Sequence, residues 1–361
     1  MTKNINDLVP KNARKIIGES SKLCPLSSHD ILKALKGEKV IIIACNARVK
    51  HVIPGIMRAA KDLDAVISFE LAKSEGNLKG GYTGMTPSFY AKTIFDYAEK
   101  EKFYLPFFIH GDHVTTKSPA ADVVEDSRAL IKAELDSGYT SIAVDASFNP
   151  NHDNVQISAD LGKHAIDAGA GLEVEVGEIL STGIEARITS VEDAVEFLRE
   201  LIEGKKIHPD FLAINNGAKH GNYKSGEEVH IDLKRTEEIS KAISKWGVVI
   251  AQHGITGTPL HLMGQFADCG IMKGNVATNW QNIALACMPR DLMETMSKWA
   301  KENNKDIKFV TKEFKLNAID LPAEYLRKVE EEAYKSAKEF ISAFRANGTA
   351  SRVIKEVTSD L

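Results

Sequence analysis

Short apolar runs return along the chain, each followed by a segment whose apolar residues repeat at helical rather than strand spacing. The runs are VIIIACN (40–46), AVISFE (65–70), LPFFIH (105–110), SIAVDAS (141–147), GLEVEVG (171–177), FLAINN (211–216), GVVIAQH (247–253) and GIMKGN (270–275), eight in all. Between them lie amphipathic stretches such as PSFYAKTIFDYAEKE (87–101), DSRALIKAELDSG (126–138) and SVEDAVEFLRELIEG (190–204). Ser190 with Asp193 marks a helix start, and Gly138 a helix stop.

Eight strands alternating with helices predict an α/β fold, a parallel (β/α)8 TIM barrel over about residues 38–302. A doubly wound open sheet is the competitor, but no Gly-x-Gly-x-x-Gly follows the first strand. Residues 1–37 read as N-terminal helices and 303–361 as a helical extension, clearest over 322–348. With no Ser- or Gly-rich linker, a single domain over 1–361 is expected.

Composition narrows the function classes. At 43% apolar residues, the 361-residue chain can bury a full core. Its net charge of −4 and scattered basic residues leave no footprint for nucleic acid. No run approaches the roughly 18 apolar residues of a membrane span, and the N-terminus lacks a signal-peptide core. Four cysteines without a Cys-x-x-Cys pair suit reduced thiols in a cytoplasm.

In such a barrel the strands deliver active sites at their C-terminal mouth. Here the runs end in Asn46, Glu70, His110 to His113, Asp145 and Ser147, Glu175, Asn216, His253 and Asn275. Any one could be polar because loops are wet; their convergence is the signal. Neutral imidazoles on separate rigid elements suit Zn²⁺ or a similar divalent ion. His113, His220 and His253 follow strands three, six and seven, and His220 and His253 each precede a glycine. Glycine lets backbone N–H groups approach a phosphate. Thr256, Gly257, Thr258 and Lys224 add donors and charge. His29, His51, His152, His164, His208, His230 and His261 read as structural or exposed, and His110 as a neighbour of the ligands rather than one of them.

These residues, in this order, resemble the class II, metal-dependent fructose-bisphosphate aldolases. The resemblance spans about residues 38–282 and rests on HGDH (110–113), SIAVDAS (141–147), LEVEVGEI (172–179), HGNYK (220–224), HGITGTP (253–259) and KGNVAT (273–278). It implies that His113, His220 and His253 hold Zn²⁺, with Glu175 as a further ligand when the ion shifts. It implies Asp112 as the acid/base, Asn46 as the group that orients the enediolate, and a mobile-loop glutamate as the second proton carrier. Glu185 is the best match for that glutamate, with Glu178 as the alternative. Gly221, Lys224, Gly254, Thr256, Asn275 and Thr278 would bind the phosphate of dihydroxyacetone phosphate. A monovalent cation (Na⁺ or K⁺) near the phosphate loops and a homodimer or larger homo-oligomer are further implications.

Several positions depart from the family. ILSTGIEARIT (179–189) carries Ala186 where an aspartate is usual, and Glu70 falls near the place of a phosphate-touching serine. Ala277 replaces an aspartate of the fructose-bisphosphate enzymes, as in the Asn-Val-Ala-Thr of tagatose-bisphosphate aldolases. Arg290 and Arg345 are the candidates for the far phosphate, and Lys273 raises a Schiff-base alternative that the histidines disfavour. The expected reaction is therefore reversible cleavage of fructose 1,6-bisphosphate. The alternatives are tagatose 1,6-bisphosphate or another phosphorylated ketose, a noncatalytic barrel partner, and a zinc hydrolase.

Overall fold

A computed structural model describes residues 5–177, 188–218 and 231–359. Eight parallel strands close on themselves: β1 (Ile42–Asn46), β2 (Ile67–Ala72), β3 (Pro106–Thr115), β4 (Ser141–Asp145), β5 (Gly171–Val176), β6 (Phe211–Ile214), β7 (Val249–Gln252) and β8 (Ile271–Val276). Neighbours pair in chain order, and β8 returns to β1 with Ile42 opposite Lys273. This is the (β/α)8 barrel that the pattern predicts. A short bridge at Cys24–Pro25 adds to the base of β3.

Fourteen α-helices surround it among the described residues. The N-terminal pair is α1 (Lys11–Ile17) and α2 (Ser28–Ala34). The outer layer is α3 (Ile53–Asp62), α4 (Pro87–Glu101), α5 (Ala121–Asp136), α6 (Asn151–Asp167), α7 (Val191–Arg199), α8 (Leu233–Ile243), α9 (Met263–Asp268) and α10 (Thr278–Ala286). The C-terminal run is α11 (Arg290–Glu302), α12 (Val310–Glu313), α13 (Ala323–Ala343) and α14 (Thr349–Ser359). Local chemistry sets the helix ends. Ser190 and Asp193 form a reciprocal capping box at α7, and Gly138 (φ +95°) lies just past α5.

Alternation along each strand divides the core. Outward residues such as Ile43, Ile67, Phe69, Ile109, Val144, Leu172 and Val174 pack against the helices. Ile42, Val66, Phe108, Phe211 and Met272 form a second cluster at the base, plugged by Leu26, Ile31, Leu35, Ala350 and Val353. The terminal helices therefore close the bottom of the barrel. The C-terminal extension is also stitched to the first two strands. Ile41 N donates to Phe344 O at 2.9 Å, and Val66 N to Thr349 Oγ1 at 2.9 Å.

The strand boundaries differ from the pattern in one informative place. LPFFIH is expected to stop at His110, but β3 runs on through Thr115 and carries the whole HGDH stretch inside its ladder. Its register against β4 shifts between Gly111 and Val114.

The packing of α13 on α3 generates a prediction. A Cβ on Gly55 would sit 2.1 Å from Glu330 O and 2.9 Å from Tyr334 N, both backbone atoms that cannot swing aside. Gly55→Ala should destabilise by on the order of 1–3 kcal/mol. Gly204→Ala, with nothing within 4 Å, should not. Equal melting temperatures for the two variants would show that the α3–α13 contact relaxes freely.

Candidate active site

The barrel interior holds two layers of polar side chains, because residues two apart on a strand face the same way. Glu70, His110, Glu173 and Lys273 make the deeper layer, all fully buried. Lys273 Nζ lies 2.8 Å from Glu173 Oε2 and 3.2 Å from Glu70 Oε2. His110 Nδ1 contacts Ser141 Oγ at 2.8 Å, and its Nε2 sits 3.5 Å from Glu173. Burial works against the Lys273 ammonium, but the charges of Glu173, Glu70 and Asp112 outweigh it and hold its pKa above the ordinary value. Burial pushes the Glu70 carboxyl well up and drives His110 well down, toward the neutral ring.

Three readings of the sequence meet the structure here. Glu70 does not occupy a phosphate position: it turns into the barrel toward Lys273, so no repulsion with a phosphate arises. Lys273 is a buried, ion-paired cation rather than a neutral amine. Arg290 and Arg345, the candidates for a far phosphate, lie outside the cavity, on Glu294 and Asp268 respectively.

The upper layer sits two residues further along: Asn46, Asp112, Glu175 and Asn275. Asn46 Nδ2 donates to Asp112 Oδ2 at 2.9 Å, and Asn275 Nδ2 donates to Asp112 Oδ1 at 3.1 Å. Both amide oxygens are buried without a hydrogen-bond partner among the described residues. Burial would raise the Asp112 carboxyl, but the charges of His113, Lys273 and His253, with the Asn46 hydrogen bond, pull it below the usual carboxylate range. Its ionised form is the one the fold selects. The stability it contributes is present above the unfolded-state carboxylate pKa and fades only as pH falls below it.

The register shift in β3 re-aims the residues after Gly111. Gly111 itself passes so close to α5 that a Cβ there would meet Glu134 Oε2 at 2.2 Å. His113 adopts φ +40°, a left-handed conformation rare for a residue with a Cβ. As a result Asp112 and His113, adjacent in sequence, both reach the mouth of the barrel.

His113 Nδ1 is 2.7 Å from Glu175 Oε1 and 3.3 Å from Asp145 Oδ2. His253 Nε2 is 3.0 Å from Glu173 Oε1. Each ring thus spends one nitrogen on a carboxyl group. Each then turns its other nitrogen, His113 Nε2 and His253 Nδ1, toward its counterpart. Two ring nitrogens that converge in this way are the donor atoms a shared cation needs. The ring centroids are 4.2 Å apart at 79°. Burial and the Asp145 charge raise Glu175 to about 8. The sets Asp112–His113–His253 and His113–Asp145–Glu175 each place their ligand atoms within 4.8 Å of one another. The donor set therefore fits a divalent ion.

Asn46, Asp112, His113, Glu175, His253, Gly254, Thr256, Asn275 and Thr278 all line one cavity of about 420 Å³. The remaining predicted residues, Glu178, Glu185, His220, Gly221 and Lys224, lie outside the described residues. Asn216 belongs instead to the structural pairing with Gln252, at 2.6 Å. Arg48, Ser74, Glu75, Tyr82, Lys117 and Lys308 also line the cavity and escape the pattern of strand ends, because they stand on loops beyond it or, for Lys308, on a 3-10 turn of the C-terminal extension. Glu173 is within reach of that pattern, since it shares a face with Glu175.

The comparisons agree with this architecture. The family profile described as "Fructose-bisphosphate aldolase class-II" matches residues 26–349. A fructose-bisphosphate aldolase of Giardia intestinalis is 28% identical over 245 residues, 66% of each chain. The chain thus spans about two thirds of that relative's length. One from Thermus caldophilus is 25% identical over 337 residues, 91% of this chain and 93% of its own. The solved structure of the fructose-bisphosphate aldolase of Campylobacter jejuni superposes with a TM-score of 0.62 at 19% identity. It covers 89% of this chain and 95% of that one, a likeness of fold.

Lys273→Met should leave Glu173 and Glu70 buried without their cation and cost about 3–5 kcal/mol, measured by urea unfolding. A loss under about 1 kcal/mol would show that the cluster contributes little to the fold.

Proposed function

The chain belongs to the class II fructose-bisphosphate aldolase family of metal-dependent lyases, and from this we propose that it reversibly cleaves fructose 1,6-bisphosphate. The products are dihydroxyacetone phosphate and glyceraldehyde 3-phosphate. The observation that carries the reading is Asp112, held ionised between two asparagine amides and beside the facing His113 and His253 nitrogens.

His113, His253 and His220 would hold Zn²⁺ or another divalent ion, with Glu175 within reach as a further ligand. When bound, the ion polarises the substrate carbonyl and acts as the electron sink. Asp112 accepts the C4 hydroxyl proton as the C3–C4 bond breaks. The bonding pair stays with the dihydroxyacetone half, where C3 takes a proton from the loop glutamate, Glu185 or Glu178. Asn46 and Asn275, whose amide oxygens have no partner among the described residues, accept from substrate hydroxyls. Gly254, Thr256 and Thr278, with Gly221 and Lys224, hold the phosphate, and the same loops suit Na⁺ or K⁺.

Ala277 lines the cavity and cannot replace the sugar contacts of an aspartate. That favours tagatose 1,6-bisphosphate as a second reading. The family resemblance supports a homodimer or larger homo-oligomer. Four unpaired cysteines are consistent with a reducing cytoplasm, and no helix of the described residues is long and apolar enough to cross a membrane.

Chelation should abolish cleavage and Zn²⁺ should restore it. The ratio of fructose to tagatose bisphosphate turnover then decides between the sugars, and turnover of neither refutes both. Asp112→Ala should keep its metal and lose about 10²–10⁴-fold in turnover. Parallel loss of metal would move Asp112 into the coordination shell. Because Lys273 stays protonated, borohydride added during turnover should not inactivate the enzyme. Covalent trapping at Lys273 would overturn the metal-based reading.

A further inference from the structure

The loop after β1 brings a partly buried cation to the cavity that the reaction above does not use. Arg48 is only 12% exposed and lines the same wall as Gly254, Thr256 and Thr278. Its Nε lies 2.7 Å from Glu75 Oε1, and the Tyr82 ring sits 5.7 Å from its guanidinium carbon. Asn317 Nδ2 pins its backbone carbonyl at 2.9 Å. The side chain is thus fixed before any ligand arrives, which lowers the ordering cost of binding.

The outer nitrogen is differently placed. Arg48 Nη1 makes two long contacts, both 3.3 Å and both to neutral oxygens, Thr278 Oγ1 and Gln281 Oε1. Those residues form the first turn of α10, whose N-cap, Ala277, offers no side-chain cap. Thr258, two residues beyond the cavity-lining Thr256, has a buried hydroxyl without a partner among the described residues. A phosphate at this turn would exchange weak neutral contacts of Nη1 for charge-assisted ones.

Glu75 is no rival for that phosphate. Its oxygens are taken up by Arg48 and Tyr82 on one side, and by Asn46 Nδ2 (3.0 Å) and Ala72 N (3.1 Å) on the other. The same Asn46 nitrogen donates to Asp112. A continuous chain, Arg48–Glu75–Asn46–Asp112, therefore joins the phosphate wall to the proton acceptor. We propose that Arg48 is a further substrate-binding residue, the fixed cation that reads the phosphate next to the reacting ketone, and that Glu75 is the positioning residue holding both Arg48 and Asn46. This rests on the phosphate placement proposed above.

The test compares wild type, Arg48→Gln and Arg48→Lys, each metal-loaded. One arm titrates inorganic phosphate by calorimetry. The other measures condensation with dihydroxyacetone phosphate against unphosphorylated dihydroxyacetone. Arg48→Gln should weaken phosphate binding, and the preference for the phosphorylated donor, by about 10- to 100-fold, with Arg48→Lys intermediate. Glu75→Gln should lower kcat as well as raise KM, since it also releases Asn46. If both donors decline together and phosphate affinity holds, Arg48 is merely structural and the inference fails. If Arg48→Gln does not fold, unchanged phosphate binding in Arg48→Lys overturns it equally. Should wild type turn over no ketose phosphate, the aldolase reading fails and Arg48 loses its ketone, while Arg48-dependent binding of inorganic phosphate would still show an anion site at this wall.

Discussion

An ammonium group sealed inside a protein is stable only if its neighbours supply what water did, and Lys273 is such a group. Most barrels of this kind fill the space between their strands with branched aliphatic side chains; here the middle of the barrel holds a lysine, two glutamates and a histidine. Desolvation of each charge costs several kcal/mol, so the cluster is tolerable only as a unit. The site above it inherits that order. Glu173 is held by Lys273 and in turn orients His253, whose other nitrogen then faces His113. The charge on Lys273 also helps keep Asp112 ionised. One buried cation thus governs a ring orientation and a protonation state in the layer above.

The second constraint is steric and local. A regular strand would send Asp112 inward and His113 outward. The register shift in β3 and the left-handed backbone of His113 break that rule at one residue, and both side chains reach the same cavity. The local strain of such a conformation, about 1–3 kcal/mol, is borne by the long ladder on either side. Just before the departure, Gly111 lets the strand pass close to α5, where a Cβ would oblige the Glu134 carboxyl to move.

Much of this is legible in the sequence because its signals are periodic or chemically rare. Eight apolar runs at intervals leave little choice of fold, and the Glu-x-Glu of β5 places both carboxylates on one face. The failures have physical causes. Glu70 looks like a residue at the rim, but a strand end shows only that a side chain is near the mouth, not how deep it points. The extent of β3 escapes the pattern because polar residues inside a barrel imitate a loop. Arg48, Glu75 and Lys308 stand on loops and a C-terminal extension that no period describes, and only the fold brings them to one wall.

The attachment of the last helices to the first strands has a consequence for how the protein is made. Ile41, at the entry to β1, and Val66, at the entry to β2, receive hydrogen-bond partners from Phe344 and Thr349, some three hundred residues later. On a ribosome that releases the chain from its N-terminus, the first two strands would emerge with their lower ends unpaired and stay so until Phe344 and Thr349 had been synthesised. Such long-range closure slows folding. The interval between the first strand and the final helix is then the time during which the nascent chain most needs protection from pairing with a stranger.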